Sequence, residues 1–148
     1  AHQRNHHLQK VIVKPTIANE LLWSIRYVDG DTLYADGVRL MPFADPLIYE
    51  GSSAPLLSWE ERFENLKGRT LYDDIDRFDA LSNGVLITHP NHENVIGDGR
   101  YAMLPTSVEP LWGIEIDTTS PGRHVEFRTF RDAPAEVRNQ FLDMLLGR

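Results

Sequence analysis

The sequence contains no cysteine, which excludes disulfides, thiolate metal centres and cysteine nucleophiles. That absence leaves the compartment open, because a reducing cytosol and a disulfide-free periplasm both accept such a chain. Long apolar runs are missing too. The longest is four residues, Tyr101–Leu104, against the roughly 20 that a membrane-spanning helix requires. Positive charge is scarce: 15 Lys and Arg face 22 Asp and Glu, a formal net charge of −7. No nucleic-acid partner is expected from that balance, since such affinity comes mainly from neutralising phosphates. Internal repeats, low-complexity tracts and a signal-peptide pattern are also lacking. The chain starts at Ala1, so it reads as a processed form or a fragment.

What is present suits an ordinary folded chain: 148 residues, 41% apolar and 25% charged. The expected organisation is a leader over residues 1–10 and a single soluble α+β domain over 11–148. The leader is either a juxtamembrane segment or a cloning remnant. Residues 1–14 carry Arg4, Lys10, Lys14, His2, His6 and His7 with no acid, against the acidic trend of the rest. Lys and Arg concentrate on the cytoplasmic side of membrane helices. Weak contact of this stretch with lipid headgroups is therefore expected.

Alternation is clearest around Asp29-Gly30-Asp31, where β-type runs over Leu21–Val28 and Thr32–Leu40 predict a hairpin. Trp23, Ile25 and Tyr27 are expected to face the core, while Leu22 and Val28 suggest that the second face is partly covered too. Val11–Val13 and Leu47–Glu50 read as further short strands, with Gly51-Ser52-Ser53 as a turn. Ser58 and Glu61 spell a capping box before Trp59, Phe63 and Leu66. Leu71, Ile75 and Phe78 extend the helical segment, which spans roughly 58–82, with Thr70 as a cap. β-type runs follow at Val85–Thr88, Leu111–Asp117 and Val125–Phe130, the last two paired across a Pro121-Gly122 turn. A C-terminal helix opens at Asp132 and Pro134 and stops at Gly147. Mainly antiparallel hairpins with separate helices make the fold class α+β.

Few residues spell chemistry. His89-Pro90-Asn91-His92-Glu93 offers two imidazoles and a carboxylate, a suitable donor set for zinc. Pro90 rules out a helix there, so the competing reading is an exposed polar turn after a strand. Asp73, Asp74, Asp76 and Asp79 read as the wet face of an amphipathic helix, with Asp73 and Arg77 spaced for a surface ion pair. In Gly97-Asp98-Gly99-Arg100-Tyr101 the glycines permit a tight turn, in which Asp98 and Arg100 can pair. Ser52, Ser53, Ser107 and Ser120 sit in no nucleophile-elbow spelling.

Lys14-Pro15-Thr16-Ile17-Ala18-Asn19-Glu20-Leu21-Leu22-Trp23 and Tyr34-Ala35-Asp36-Gly37-Val38-Arg39 carry a family resemblance. Arg77-Phe78, Ser82-Asn83-Gly84 and Asp98-Gly99-Arg100-Tyr101 add to it. The chain resembles the soluble C-terminal portion of bacterial inner-membrane proteins called membrane-bound metal-dependent hydrolases, the YdjM-like group. The likeness spans residues 11–117. It implies that transmembrane helices precede Ala1 in a parent protein; Arg4, Lys10 and Lys14 would then put this portion on the cytoplasmic side, with a periplasmic domain as the competing reading. It also implies that any divalent metal belongs to that membrane portion, and that no cofactor sits in this chain. The partner so implied is the chain's own N-terminal membrane domain. Asn19, Asp36, Arg39, Asp98 and Arg100 lie in matching stretches and form the candidate binding cluster, with capping and turn-forming as their competing roles. The leading expectation is an accessory or interaction domain and not a complete enzyme. The alternative is a metal-dependent hydrolase acting through His89, His92 and Glu93.

Overall fold

The computed structural model describes residues 7–16 and 19–148. His2, Arg4 and His6 of the basic leader, and Ile17 and Ala18 of the Pro-Thr stretch, lie outside the described residues. Two four-stranded antiparallel sheets and a few helices make an α+β fold, as the strand and helix patterns imply. The chain divides into two compact units. Among the described residues no helix is long and apolar enough to cross a membrane.

The first unit combines Ala1–Pro55 with Ala102–Val108 and Asp132–Arg148. Its sheet is a meander of β1 (Lys10–Pro15), β2 (Leu22–Asp29), β3 (Thr32–Arg39) and β4 (Leu47–Pro55). Asp29 pairs with Thr32, which leaves a two-residue turn in which Gly30 adopts φ 56°. That left-handed conformation is the reason glycine stands there.

Both faces of β2 are covered in part, as expected, but the better-buried face is that of Leu22 and Val28 and not that of Trp23 and Ile25. Leu22, Arg26 and Val28 are the covered set, opposite Arg39, Ala35 and Leu33. Trp23 and Ile25 are only half-buried, while Tyr27 is buried and stacks on Tyr34 with ring centroids 5.2 Å apart. The cover comes from far along the chain. Leu22 packs with Leu104 and with Met144 of α3 (Ala135–Leu146), flanked by Tyr49, Val137 and Phe141. Arg26 enters this face because its guanidinium donates to the Ser107 carbonyl. The same returning segment explains why Gly51-Ser52-Ser53 belongs to β4 and not to a turn. Ser52 N–H donates to Thr106 O at 2.8 Å, and a Cβ at Gly51 would collide with the Ala35 and Thr106 carbonyl oxygens.

The second unit combines Leu56–Tyr101 with Glu109–Arg131. It holds α1 (Trp59–Arg62), a 3-10 turn (Glu64–Leu66) and α2 (Thr70–Leu81). Its sheet runs β5 (Leu86–His89), β6 (His92–Asp98), β7 (Trp112–Glu115) and β8 (Glu126–Thr129) in that order. The predicted apolar stripe is the core: Trp59, Phe63, Leu66, Leu71, Ile75 and Phe78 meet Leu86, Ile96 and Ile114. The caps are not those predicted. Neither Ser58 before α1 nor Arg69 before α2 makes a side-chain capping bond, and Thr70 is already the first residue of α2. Strand β6 was absent from the expected elements because Pro90 and His92 read as a turn; that turn is only Pro90-Asn91, and pairing resumes at His92. The β7–β8 pairing runs from Trp112↔Thr129 to Glu115↔Glu126, as the Pro121-Gly122 turn predicts.

Candidate functional site

The residues of the expected polar cluster have distinct structural partners. Asn19 organises a turn: its Oδ1 accepts from the Leu21 and Leu22 N–H groups at 3.1 and 2.7 Å, and its Nδ2 donates to Thr16 Oγ1 at 2.6 Å. Asp36 is buried and accepts the Gly51 N–H at 3.1 Å, tying β3 to β4 where their register shifts. Arg39 Nε donates to the Leu145 carbonyl at 2.8 Å and so closes the end of α3. Odd spacing on β3 puts Asp36 and Arg39 on opposite faces of the strand.

Asp98 and Arg100 do come together, in the second unit. Arg100 grips the buried Asp98 carboxylate with Nε and Nη2 at 2.9 and 2.8 Å, and its backbone N–H donates to Oδ1 at 3.0 Å. Nη2 also donates to the Leu81 carbonyl at 2.8 Å, capping α2. The hydrogen bond it donates to Asp98 is the main reason the Arg100 guanidinium is held above its ordinary value. Arg39 and Arg100 thus do the same work in different units. A guanidinium suits this task because a helix C-terminus carries unpaired carbonyls and partial negative charge.

His89 is the least ordinary side chain. It is completely buried, and its Nδ1 accepts the Asn91 N–H at 3.1 Å, which places the proton of a neutral ring on Nε2. Nε2 is buried without a hydrogen-bond partner, 3.9 Å from Glu109 Oε1. The Asn91 amide donates to the same Glu109 oxygen at 3.2 Å. The rings of His92 and Phe130 flank it at 4.7 and 4.2 Å between centroids. Burial, then the neighbouring His92 charge, hold the His89 pKa below the ordinary histidine value, against the pull of Glu109. The hairpin register brings His89 and His92 together, but Glu93 follows His92 on β6 and points to the opposite face. Among the described residues no group of three or more His, Cys, Asp or Glu side chains is disposed to hold a metal ion.

Asp74 corrects the view of α2 as uniformly wet on its acidic side. It is buried, and its Oδ2 accepts from His124 Nδ1 at 2.9 Å and from the Val125 N–H at 3.1 Å. Arg77 Nη1 donates to Oδ1 at 3.0 Å, so the partner of Arg77 is Asp74 and not Asp73. Burial acts to raise the Asp74 pKa, but the His124 and Val125 hydrogen bonds and the charges of His124 and Arg77 hold it below the ordinary carboxylate value. The acidic spelling of 73–79 gave no signal for this, because His124 is 50 residues away.

The other outstanding feature is apolar. In the first unit Val11, Tyr27 and Tyr34 share a sheet face with Val13, Ile25, Trp23, Val38 and Ile48, and with the acids Asp36 and Glu50, by cross-strand register. Val11, Val13 and Ile48 are 46%, 53% and 47% exposed on it. At the end of the same sheet, Leu21, Leu40, Met41, Phe43 and Leu47 are exposed as well, and Phe43 holds a left-handed φ of 63°. No family model, curated protein or solved structure matches the chain.

Proposed function

We propose that the chain is an accessory module that binds a protein partner at a bacterial inner membrane and is not a complete enzyme by itself. The carrying observation is the β1–β4 sheet face on which Val11, Val13 and Ile48 are exposed beside half-buried Trp23, Ile25 and Val38, with Asp36 and Glu50 in the row of Val13 and Ile25. Exposed apolar side chains rimmed by polar ones mark interaction sites. The resemblance to the YdjM-like group supports the choice of partner, the membrane-spanning portion of a parent protein, with this module on the cytoplasmic side. In that reading a divalent metal, and any hydrolysis, belongs to the membrane portion. The arginines and carboxylates of the expected cluster are then scaffold: Arg39 and Arg100 close helices and Asp36 joins strands.

A photo-crosslinking side chain placed at Val13 in the gene product, expressed in its own cell, tests the reading. A crosslink to a membrane-embedded protein, lost in Ile48→Asp, is the expected result. Absence of any crosslink from Val13 and from Ile48 overturns it.

The alternative, a metal-dependent hydrolase using His89, His92 and Glu93, draws support from the 4.7 Å approach of the two imidazoles. Glu93 faces away from them on β6, so Glu109 is the better-placed carboxylate. Stoichiometric zinc in the purified protein, lost in His92→Ala, would favour that alternative.

A further inference from the structure

Among the described residues the two sheets have four edges, and three of them are occupied or charged against pairing. On β4 the Ser52 N–H donates to Thr106 O, and on β5 the Leu86 carbonyl accepts the Leu57 N–H, both at 2.8 Å. Strand β1 carries Lys10 and Lys14 near its two ends, and self-pairing about Ile12 would set those charges opposite each other. The fourth edge is β8, the last strand of its sheet, where Glu126, Phe127, Arg128 and Thr129 are all exposed. Just beyond it, the Phe130 N–H donates to Leu111 O on the β7 side. By the alternation of an antiparallel ladder, the N–H and C=O groups of Phe127 and Thr129 therefore point away from β7. The Val125 N–H points the same way and is taken by Asp74, which ends the open stretch.

Phe127 stands opposite Ile114, a member of the second unit's core, so its exposed ring continues that apolar face past the last strand. Glu126 and Arg128 project from the other face, where Arg128 Nη1 donates to Glu115 Oε2. We propose that β8 pairs antiparallel with β8 of a second copy of the chain, about a two-fold axis at Phe127. In this register the outward Phe127 N–H of each copy meets the Phe127 carbonyl of the other. The two Phe127 rings lie side by side on the core face. On the opposite face Glu126 meets Arg128 of the second copy, twice by symmetry. Charge fixes the register, because a pairing centred on Arg128 would set arginine against arginine. Charge also fixes the occupant: the strand is complementary to its own reverse, as a two-fold contact between identical copies requires. Four residues a side make a small interface, so the association is weak and concentration-dependent. The inference does not use the β1–β4 face on which the proposed function rests, so either can fail alone.

Sedimentation equilibrium of the whole chain over a concentration series tests it. Wild type should show a reversible monomer–dimer equilibrium. Glu126→Arg and Arg128→Glu should each weaken the dimer by about tenfold, since both symmetry-related pairs become like-charged. Mixed in equal amounts, the two variants should recover the dimer, because each supplies the charge that the other's strand now faces. Recovery would also show that both variants are folded. Ile48→Asp, an exposed change in the other unit, should dimerise as wild type. A wild type that stays monomeric up to about 1 mM overturns the proposal. A dimer unchanged by both charge reversals overturns it, and so does a mixture of the two variants that fails to recover dimer. Loss of the dimer in Ile48→Asp overturns it in favour of self-association through the β1–β4 face.

Discussion

The two units use sheets of the same size and order but cover them differently. In the second unit the helical segment from Trp59 to Leu81 supplies a local apolar stripe to the sheet. In the first unit cover comes from Leu104 and α3, while the opposite face keeps Val11, Val13 and Ile48 exposed. Buried charge occurs in both units, Arg26 and Asp36 in the first and Asp74 and Asp98 in the second. The difference lies in the sheets, since the first unit leaves Val11, Val13 and Ile48 exposed on one face.

The sharpest break of this comparison is in the cores. Ile75→Ala removes a fully buried side chain from the second unit and should cost about 3–5 kcal/mol. Ile48→Ala, at a half-exposed site in the first, should cost less than about 1 kcal/mol. Hydrogen exchange read separately in each unit is the right measurement, because two units need not unfold together. Similar losses at both positions would mean that the open face of β1–β4 is covered in solution.

Next in size is Arg100→Ala. It strands the buried Asp98 carboxylate and uncaps α2, so a loss of about 3 kcal/mol is expected, at the low end for a broken buried pair because Arg100 is partly exposed. Arg39→Ala in the first unit removes only a helix-end hydrogen bond in the described contacts and should cost about 1 kcal/mol. Chemical denaturation that ranks Arg39→Ala above Arg100→Ala would reverse the expected order of these two helix-end contacts.

These examples also show what sequence can and cannot reveal. The Asp29-Gly30 hairpin, the α2 stripe and the Gly147 stop rest on local chemistry, and all three are present. The better-buried face of β2 was not legible for a physical reason. Arg26 reads as a solvent marker, yet it is buried and donates to the Ser107 carbonyl, 81 residues away. Aromatic Trp23 looks like core by size alone. Likewise the Asp74–His124 bond joins residues whose separation hides any pattern. For the candidate site, the Asp98–Arg100 pairing was legible because the residues are two apart, whereas the Glu109 carboxylate beside His89 was not.

Trp23→Ala probes the less-buried face of β2 directly. A fully buried tryptophan would cost about 3–5 kcal/mol, but the half-buried ring of Trp23 should cost about 1–2 kcal/mol. Thermal unfolding of the variant would detect a larger loss and thereby restore the face to the core.

Acid should separate the units by mechanism. The depressed His89 pKa means that the unfolded chain binds the proton more readily, so stability is present above the ordinary value of 6.5 and falls as pH drops below it toward the folded value. Protonation also turns Nδ1 from an acceptor into a donor facing the Asn91 N–H. Asp74 adds a second step with the same sign: its contribution is present above 3.8 and is lost as pH falls through its lower folded value. Exchange protection in the second unit should therefore drop on acidification in two stages, the first removed by His89→Phe and the second by Asp74→Asn. A pH-independent first stage in wild type would show that His89 has no depressed pKa.

The smallest expected effect on stability is also the one most closely tied to function. Val13 is 53% exposed on edge strand β1, where it pairs across to Ile25. A lysine there keeps its ammonium in water and lays its stem along the sheet, so Val13→Lys should change stability by no more than about 0.5 kcal/mol. Charge on an edge strand also discourages pairing with another strand. If the open face binds a partner, the same substitution should weaken that association while leaving unfolding unchanged. If Val13 is only a tolerated surface residue, both measurements should stay at wild-type values. Calorimetric unfolding together with crosslink yield from Ile48 distinguishes these cases. A large stability loss in Val13→Lys would instead show that the face is buried in the molecule at rest, and the contrast between the two units would then vanish.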